Sequence, residues 1–245
     1  MTDRIPVLEA SSIPAVTREQ MREVDRLMIE EYGIQLIQMM ENAGLQLARL
    51  VRHLFDSAVQ DGRVLVLAGR GSNGGGGLVA ARRLATWGGA VSVVLTDDPE
   101  TFEGVPAHQL GILRQMALPL EQWNGDMPEH DIILDALIGY GLRGTPRGVA
   151  SDLIAAANES TAPVVSLDVP SGMDVDMDTA PEVAVRATAT LTLALPKAGL
   201  FRPEARPYVG ALYLGDISVP PALYERMGLG SPQLFADGQL VELTS

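Results

Sequence analysis

The chain has 245 residues, of which 47% are hydrophobic and 20% are charged, a composition typical of globular proteins and not of disordered ones. Its formal net charge of -13 argues against a nucleic-acid-binding surface, because phosphate backbones are bound by an excess of Lys and Arg. The absence of cysteine excludes disulfides, thiol nucleophiles and thiolate metal sites, and the three histidines are not spaced as zinc ligands.

The first predicted elements are two amphipathic helices. The first begins after Thr17, which forms a capping box with Gln20, and it ends at Gly33. The second is predicted from about residue 34 to residue 55. Apolar residues lie on more than one side of this pair, so the helices are either deeply packed or half of a dimer interface, and we slightly favour the interface.

A strand, a glycine-rich turn and a helix follow, as at the start of a nucleotide-binding βαβ unit. The strand is predicted from Val64 to Ala68, the turn contains Gly69-x-Gly71-x-x-Gly74, and the helix is expected to begin around Gly75. Such a turn lets a pyrophosphate approach the backbone at a helix N-terminus. The alternative is a tight turn that only lets helix and strand pack. Four successive glycines favour a close approach, because glycine destabilises a helix start.

Further strands alternate with helices. Apolar runs at 91–95, 131–135 and 163–168, separated by helices at about 105–116 and 148–157, predict a parallel sheet covered on both faces. The first run ends at Asp97 and Asp98, where a ribose-binding carboxylate is expected. Later strands are predicted at 188–195 and 211–214 and a short helix at 221–227, whereas residues after about 230 give no clear signal. No linker or repeat divides the chain, so we expect one domain over residues 1–245, with a core at about 17–220.

Two aspartates follow buried strands of the predicted sheet. The carboxyl ends of parallel strands share one edge, so Asp135 and Asp168 are expected to project into one crevice beside the glycine turn. The alternative is that each caps its own loop. Lys197, which follows another buried strand, is close enough in sequence to reach the same edge, although a solvated lysine is the alternative. Asn73, Asp135 and Ser171 supply oxygen donors, which suit a hard or weakly held cation.

An ordered set of short motifs resembles one family. Met40-Glu-Asn-Ala-Gly44, the glycine turn, Asp135-Ala-Leu-Ile-Gly139, Leu167-Asp-Val-Pro-Ser-Gly-Met-Asp174 and Pro196-Lys-Ala-Gly-Leu200 are similar to the YjeF N-terminal domain family, the NAD(P)H-hydrate epimerases. The resemblance implies a three-layer α/β/α Rossmann-like fold with a mainly parallel central sheet, an N-terminal helix pair and a homodimer. It implies an isomerase that interconverts the R and S forms of hydrated NADH or NADPH for nicotinamide nucleotide repair.

The resemblance also assigns site residues. Potassium is expected at Asn73, Asp135 and Ser171. The positions that match those holding the damaged nucleotide are Ser72, Asn73, Gly74, Gly75, Gly76, Gly139, Tyr140, Gly141, Leu142, Arg143, Gly144, Thr145 and Asp168. One hydroxyl-bearing carbon changes configuration, so the chemistry requires proton transfer and reversible bond breaking without redox. We expect Asp168 to be the acid/base, with Lys197 as the second catalytic candidate.

One position departs from the family pattern. The family has Asn-Asn-Gly-Gly-Asp where this chain has Ser72-Asn73-Gly74-Gly75-Gly76, so a carboxylate is missing at Gly76. An active epimerase and a non-catalytic nucleotide-binding or scaffolding protein therefore both remain open. The presence of Asp135, Asp168, Ser171 and Lys197 favours the enzyme. An ordinary dehydrogenase is disfavoured because no substrate domain can be placed.

The two ends of the chain carry expectations about partners and location. No run near the start has signal-peptide length, and none approaches the ~20 apolar residues of a membrane span, so we expect a cytoplasmic protein without membrane contact. The chain ends shortly after the last matching motif. We therefore expect the ADP- or ATP-dependent dehydratase that acts downstream to be a separate protein.

Overall fold

A computed structural model describes residues 4–230 and 233–244, with the side chains of residues 56–58 excepted. Within these residues, one sheet is flanked by helices on both faces, which confirms the predicted α/β class. The strands are β1 (Val7–Glu9), β2 (Arg63–Ala68), β3 (Ala90–Leu95), β4 (Leu120–Gln122), β5 (Ile132–Ala136), β6 (Val164–Leu167), β7 (Ala189–Leu193), β8 (Ala211–Gly215) and β9 (Leu240–Thr244). The helices are α1 (Arg18–Glu30), α2 (Leu36–Asp61), α3 (Ser72–Thr86), α4 (Gly104–Gln115), α5 (Val149–Glu159), α6 (Arg206–Val209) and α7 (Pro221–Arg226).

The strand order places a crevice at the centre of the sheet. The order is β1-β9-β8-β7-β6-β5-β2-β3-β4, and every pair in the described part of the chain is parallel except β8 with β9. From β2 the chain moves outward through β3 to β4, whereas from β5 it moves the other way through β6 to β8. The direction therefore reverses between β2 and β5, and the carboxyl ends of strands at such a switch point are where ligands bind in open α/β sheets.

The continuous apolar strands are explained by burial on both faces. In β2, Val64 and Val66 pack with α2, α3 and α4, whereas Leu65 and Leu67 pack with α5 on the opposite face, and all four are fully buried. A strand covered on both faces needs apolar residues at successive positions, and this is what the sequence shows.

The N-terminal helices confirm one boundary and correct another. Thr17 and Gln20 form the predicted capping box at the start of α1. The second helix does not end at Phe55 but continues to Asp61 across a kink, at which Phe55 has φ -138° and ψ 38°. The off-face residues Met39 and Val51 are 5% and 0% exposed, so the two-sided apolar pattern of α2 is accounted for by packing within the chain.

Helix α3 begins at Ser72 and not near Gly75, so the run of glycines lies inside its first turns. A Cβ on Gly74 would lie 1.7 Å from the carbonyl oxygen of Gly69, and a Cβ on Gly77 would lie 2.4 Å from the Cβ of Ala136. The packing of α3 against the turn and β5 thus requires residues without side chains. Tertiary contacts here outweigh the poor helix propensity of glycine.

Both ends of the described chain join the same edge of the sheet, which the sequence did not predict. Strand β9 pairs antiparallel with β8 and parallel with β1, and the short β4 extends the opposite edge. The structure does not describe residues 1–3, 231, 232 and 245, so the expectations that concern them lie outside the described part of the chain. None of the helices in the described ranges is long and apolar enough to span a membrane.

Candidate active site

A cavity of about 680 Å³ opens at the switch point between β2 and β5. Loops after β2, β5 and β6 form one side of it, and residues of α1 and α2 form the other. The predicted site residues in its wall are Ser72, Asn73, Gly76, Gly139, Tyr140, Gly141, Leu142, Asp168 and Lys197. The volume is within the range of pockets that bind small molecules and cofactors.

Five predicted nucleotide-binding positions do not line this cavity. Side chains at Gly74 and Gly75 would point into the protein and not into the cavity. A Cβ on Gly75, for example, would lie 2.6 Å from Met40 Sδ. Arg143, Gly144 and Thr145 are exposed, and the last two line a neighbouring cavity of about 380 Å³. The 139–145 loop therefore meets the main cavity with its first half only.

Asp168 and Lys197 form a buried ion pair in the cavity wall. Lys197 Nζ lies 2.5 Å from Asp168 Oδ1, and the two residues are 0% and 4% exposed. Asp168 immediately follows β6 and has φ 68°, a left-handed conformation that is costly for a residue other than glycine. This geometry confirms that Lys197 reaches the sheet edge and excludes the alternative of a solvated lysine.

The ammonium group of Lys197 contacts three groups of the protein. Besides the ion pair, Nζ donates to the carbonyl oxygen of Leu193 at 2.9 Å and to Thr192 Oγ1 at 3.3 Å. The side chain is fully buried, so these contacts fix the ammonium group beside Asp168.

Tyr140 connects the ion pair to the first helix. Its backbone N–H donates to Asp168 Oδ2 at 2.7 Å, and its hydroxyl donates to Asp25 Oδ2 at 2.5 Å. Burial raises the pKa of Asp25, with opposition from the Tyr140 hydrogen bond and the Lys197 charge. Burial, followed by the negative charge of Asp25, also raises the pKa of the Tyr140 hydroxyl.

Asp25 was missed in the sequence, although a signal was present. It lies on α1 between Val24 and the buried pair Leu27 and Met28, within the apolar stripe of that helix. A carboxylate in such a stripe requires a buried partner or a function. Asp25 lines the cavity, so the N-terminal helix supplies part of the site.

Arg18 holds the loop that carries Tyr140. It is 7% exposed, its Nε donates to the carbonyl oxygen of Tyr140 at 3.2 Å, and its Nη2 is paired with Asp174. Asp174 Oδ2 in turn accepts from the N–H of Gly144 at 3.1 Å. Burial opposes ionisation of Asp174, but its hydrogen bonds and the charge of Arg18 outweigh burial and lower its pKa.

Asp135 is placed differently from Asp168. It is fully buried, does not line the cavity, and accepts hydrogen bonds from the hydroxyls of Ser166 and Ser171 at 2.7 and 2.5 Å and from the N–H of Ser171 at 2.9 Å. Burial raises its pKa, and these hydrogen bonds oppose that shift. Asp135 thus lies near the end of β5 and Asp168 follows the adjacent β6, but only Asp168 lines the cavity.

Two of the three predicted cation ligands are in contact with each other. Asp135 and Ser171 are in direct contact, and Ser171 Oγ accepts from the N–H of Ile138 at 2.9 Å. Asn73 lies beside Gly139 in the cavity wall, and its buried Nδ2 has no hydrogen-bond partner among the described residues. No cluster of three or more His, Asp or Glu suited to a metal ion occurs in the described ranges. An oxygen-only donor set fits an alkali cation better than a transition metal.

Charged residues at the rim fit a phosphorylated ligand. Arg22, Arg70 and Arg147 are exposed and line the cavity in a chain whose net charge is -13. Of the predicted ribose-binding pair, Asp97 lines the cavity, whereas Asp98 accepts a hydrogen bond from the N–H of Glu100 and caps a short 3-10 helix. The acidic pair is therefore divided between a cavity residue and a cap.

The fold and this site define an α/β protein with a cavity at the switch point of its sheet and a buried ion pair in the wall of that cavity. A family model described as YjeF-related protein N-terminus matches residues 36–199. The NAD(P)H-hydrate epimerase of Dehalogenimonas lykanthroporepellens is 45% identical to the chain and covers 100% of it, with 99% of that protein aligned. The chain therefore belongs to the YjeF-related protein N-terminus family.

Two further likenesses agree with this family. The bifunctional NAD(P)H-hydrate repair enzyme Nnr of Salinibacter ruber is 36% identical over 89% of this chain and 43% of that protein. The crystal structure of yeast ynu0 has a TM-score of 0.78 at 23% identity, covering 94% of this chain and 100% of that one. The second likeness supports the three-layer fold.

Proposed function

We propose that the protein is an NAD(P)H-hydrate epimerase, an isomerase that interconverts the R and S forms of hydrated NADH and NADPH. The observation that carries this proposal is the buried Asp168–Lys197 pair in the wall of a nucleotide-sized cavity at the switch point. The epimerase of Dehalogenimonas lykanthroporepellens, aligned over the whole chain, supports the same substrate.

The roles of the cavity residues follow from their contacts. Asp168 is the base, since Lys197 and the N–H of Tyr140 hold its carboxylate in one orientation. Lys197 orients and balances that carboxylate. The α3 N-terminus at Ser72 and Asn73, together with Arg22, Arg70 and Arg147, binds the phosphates. Asp97 follows β3, the strand after the glycine turn, and binds a ribose hydroxyl.

Potassium is the cofactor that this site would hold, with Asn73, Asp135 and Ser171 among its ligands. The support is the contact between Asp135 and Ser171 and the fully buried carboxylate, because a buried charge is costly unless it is compensated. A bound cation would supply that compensating charge. It would also fix the loops after β5 and β6.

Gly76 is the position that bears on the alternative of a non-catalytic binding or scaffolding protein. A Cβ at Gly76 would lie 2.8 Å from Leu167 Cδ2, so the cavity wall here is filled by the protein itself. Asp168 and Lys197 are in contact without any carboxylate at position 76. The arrangement thus favours the enzyme over a scaffold.

The setting of the reaction is also part of the proposal. In this proposal the downstream step is carried out by a separate ADP- or ATP-dependent dehydratase. The bifunctional Salinibacter ruber relative, which joins two activities in one chain, supports a coupling of two steps. The protein acts in the cytoplasm as a homodimer. The half-exposed apolar side chains Ile29 and Tyr32, at and just beyond the end of α1, are available for that contact. Sedimentation equilibrium should give twice the monomer mass of 26.1 kDa.

A coupled assay tests the activity. The purified protein is given the R form of hydrated NADH together with an S-specific dehydratase and its nucleotide, and the recovery of reduced-nicotinamide absorbance is followed. Recovery should be much faster with the protein than without it. A rate equal to the uncatalysed rate would refute the proposal, and a thermal shift with ADP-ribose would then show whether nucleotide binding remains.

A further inference from the structure

Two carboxylates on different elements line the cavity, and both accept a hydrogen bond from the same tyrosine. Tyr140 donates its backbone N–H to Asp168, which follows β6, and its hydroxyl to Asp25, on α1. The length of the tyrosine side chain therefore separates the two carboxylates. Both line the same cavity, so a ligand there can contact one on the sheet side and the other on the helix side.

The two carboxylates differ in their partners. Asp168 has a cation in direct contact, because Lys197 Nζ lies 2.5 Å from its Oδ1. Asp25 forms no ion pair within the described part of the chain, and its Oδ1 has no hydrogen bond there. A carboxyl group without a cation in contact is the one that retains a proton, whereas the ion-paired group remains ionised. The raised pKa of Asp25, which burial causes, agrees with this assignment.

Epimerisation of a hydroxyl-bearing carbon requires two proton transfers. One group protonates the departing hydroxyl, and another takes a proton from the water that adds to the other face. Lys197 is assigned neither step, because it is fully buried, is ion-paired with Asp168 and donates to Leu193 and Thr192. The site therefore requires a second acid/base besides Asp168.

Resting on the proposed function, we propose that Asp25 is this second acid/base. In one direction, the Asp25 carboxylic acid protonates the hydroxyl, the carbon–oxygen bond breaks with its electron pair on oxygen, and water is released. Water then forms a bond to the opposite face of the same carbon, and Asp168 accepts its proton. One proton has passed from Asp25 to Asp168, and nothing is oxidised or reduced. In the reverse direction the two carboxylates exchange roles, and solvent restores the starting protonation.

The test is Asp25→Asn, assayed for kcat and KM with each epimer of hydrated NADH. The amide is close in size and still accepts the Tyr140 hydrogen bond, but it cannot exchange a proton. Since general acid–base catalysis contributes 10²–10⁴-fold, kcat should fall by at least about 100-fold, with KM changed by less than about threefold. The matched control is Glu30→Gln on the same helix, an exposed residue paired with Arg26, whose kcat should stay within about twofold of the wild type.

The outcomes separate this inference from the proposed function. An inactive wild-type protein would refute the function itself. An active wild type together with an Asp25→Asn variant of equal kcat would refute only the role of Asp25. If Asp25→Asn loses both turnover and ADP-ribose binding, the acid/base role is likewise contradicted, because Asp25 would then maintain the structure of the site. If Asp25→Asn proves unfolded, Asp25→Glu keeps the carboxyl, and a folded Glu variant with less than about a hundredth of the rate of the wild type would also overturn the role.

Discussion

At the scale of single residues, the ion pair between Asp168 and Lys197 links the proposed catalytic role of Asp168 to the stability of the fold. Lys197 is 0% exposed, so replacing Asp168 with Asn leaves a buried ammonium without its counter-charge. Removing one partner of a buried pair typically costs about 3–5 kcal/mol, whereas replacing both by apolar groups is often neutral. The pair therefore allows activity and stability to be tested separately.

We predict that Asp168→Asn abolishes turnover and lowers the free energy of unfolding by about 3–5 kcal/mol. The double variant Asp168→Asn with Lys197→Met should recover most of that stability while remaining inactive. Urea unfolding together with the coupled assay measures both effects. Turnover by the double variant would contradict the role of Asp168, and equal stabilities of wild type and single variant would show that Lys197 has another counter-charge.

The carboxylate absent at Gly76 leads to a second prediction at this scale. Gly76→Asp directs a side chain at Leu167, 2.8 Å from the added Cβ, so overpacking should cost about 1–3 kcal/mol. Because Asp168 and Asp25 already supply two carboxylates, kcat should change by less than about threefold relative to Gly76→Ala, the variant that isolates the steric effect. An increase of roughly tenfold or more in kcat would instead mean that the natural chain lacks a catalytic group.

At the scale of elements, α1 supplies both a cavity carboxylate and the anchor of a neighbouring loop. Arg18, its first residue, contacts the carbonyl oxygen of Tyr140 and the carboxylate of Asp174. The helix, the 139–144 loop and the 174–176 loop are thereby held together on one side of the cavity. The position of Tyr140, and through it of both carboxylates, depends on this contact.

Arg18→Met should therefore lower both stability and kcat/KM. The Arg18 and Asp174 side chains are 9% and 11% exposed, so the loss should be near 3 kcal/mol, with faster amide hydrogen exchange at residues 140–144. Arg26→Met is the matched control on the same helix, because its ion pairs are at the surface and are worth less than about 1 kcal/mol. Equal effects of the two substitutions, in thermal unfolding and in hydrogen exchange, would contradict the anchoring role.

Burial and strand pairing explain which elements could be predicted from the sequence and which could not. The central strands were predictable because burial on both faces makes them continuously apolar, and Asp168 and Lys197 because each follows such a strand. Strands β1 and β9 were missed because they pair with each other across the length of the chain, with Val7 opposite Glu242. The start of α3 was misplaced because its glycines are set by contacts with Gly69 and Ala136, not by local preference.

At the scale of the whole molecule, the buried charge of Asp135 should make stability depend on potassium. A cation bound only to the folded state stabilises it by about 2.7 kcal/mol at a hundredfold excess over Kd. Potassium should therefore raise the Tm of the wild-type protein at constant ionic strength, relative to choline. Asn73→Ala and Asp135→Asn should remove this difference. The same potassium-dependent shift in the wild type and both variants, or no shift in the wild type, would contradict the site.

The sheet as a whole places the proposed acid/base groups, the glycine turn and the rim arginines around one cavity. The central claim is that this cavity epimerises a hydrated nicotinamide nucleotide. The most direct measurement follows the two epimers themselves. Pure S form of hydrated NADPH is incubated with the protein alone, without dehydratase, and the R form is quantified over time by NMR. We predict that the equilibrium ratio is reached far sooner than in buffer, and far sooner than with Asp168→Asn. A time course that matches buffer would contradict the claim.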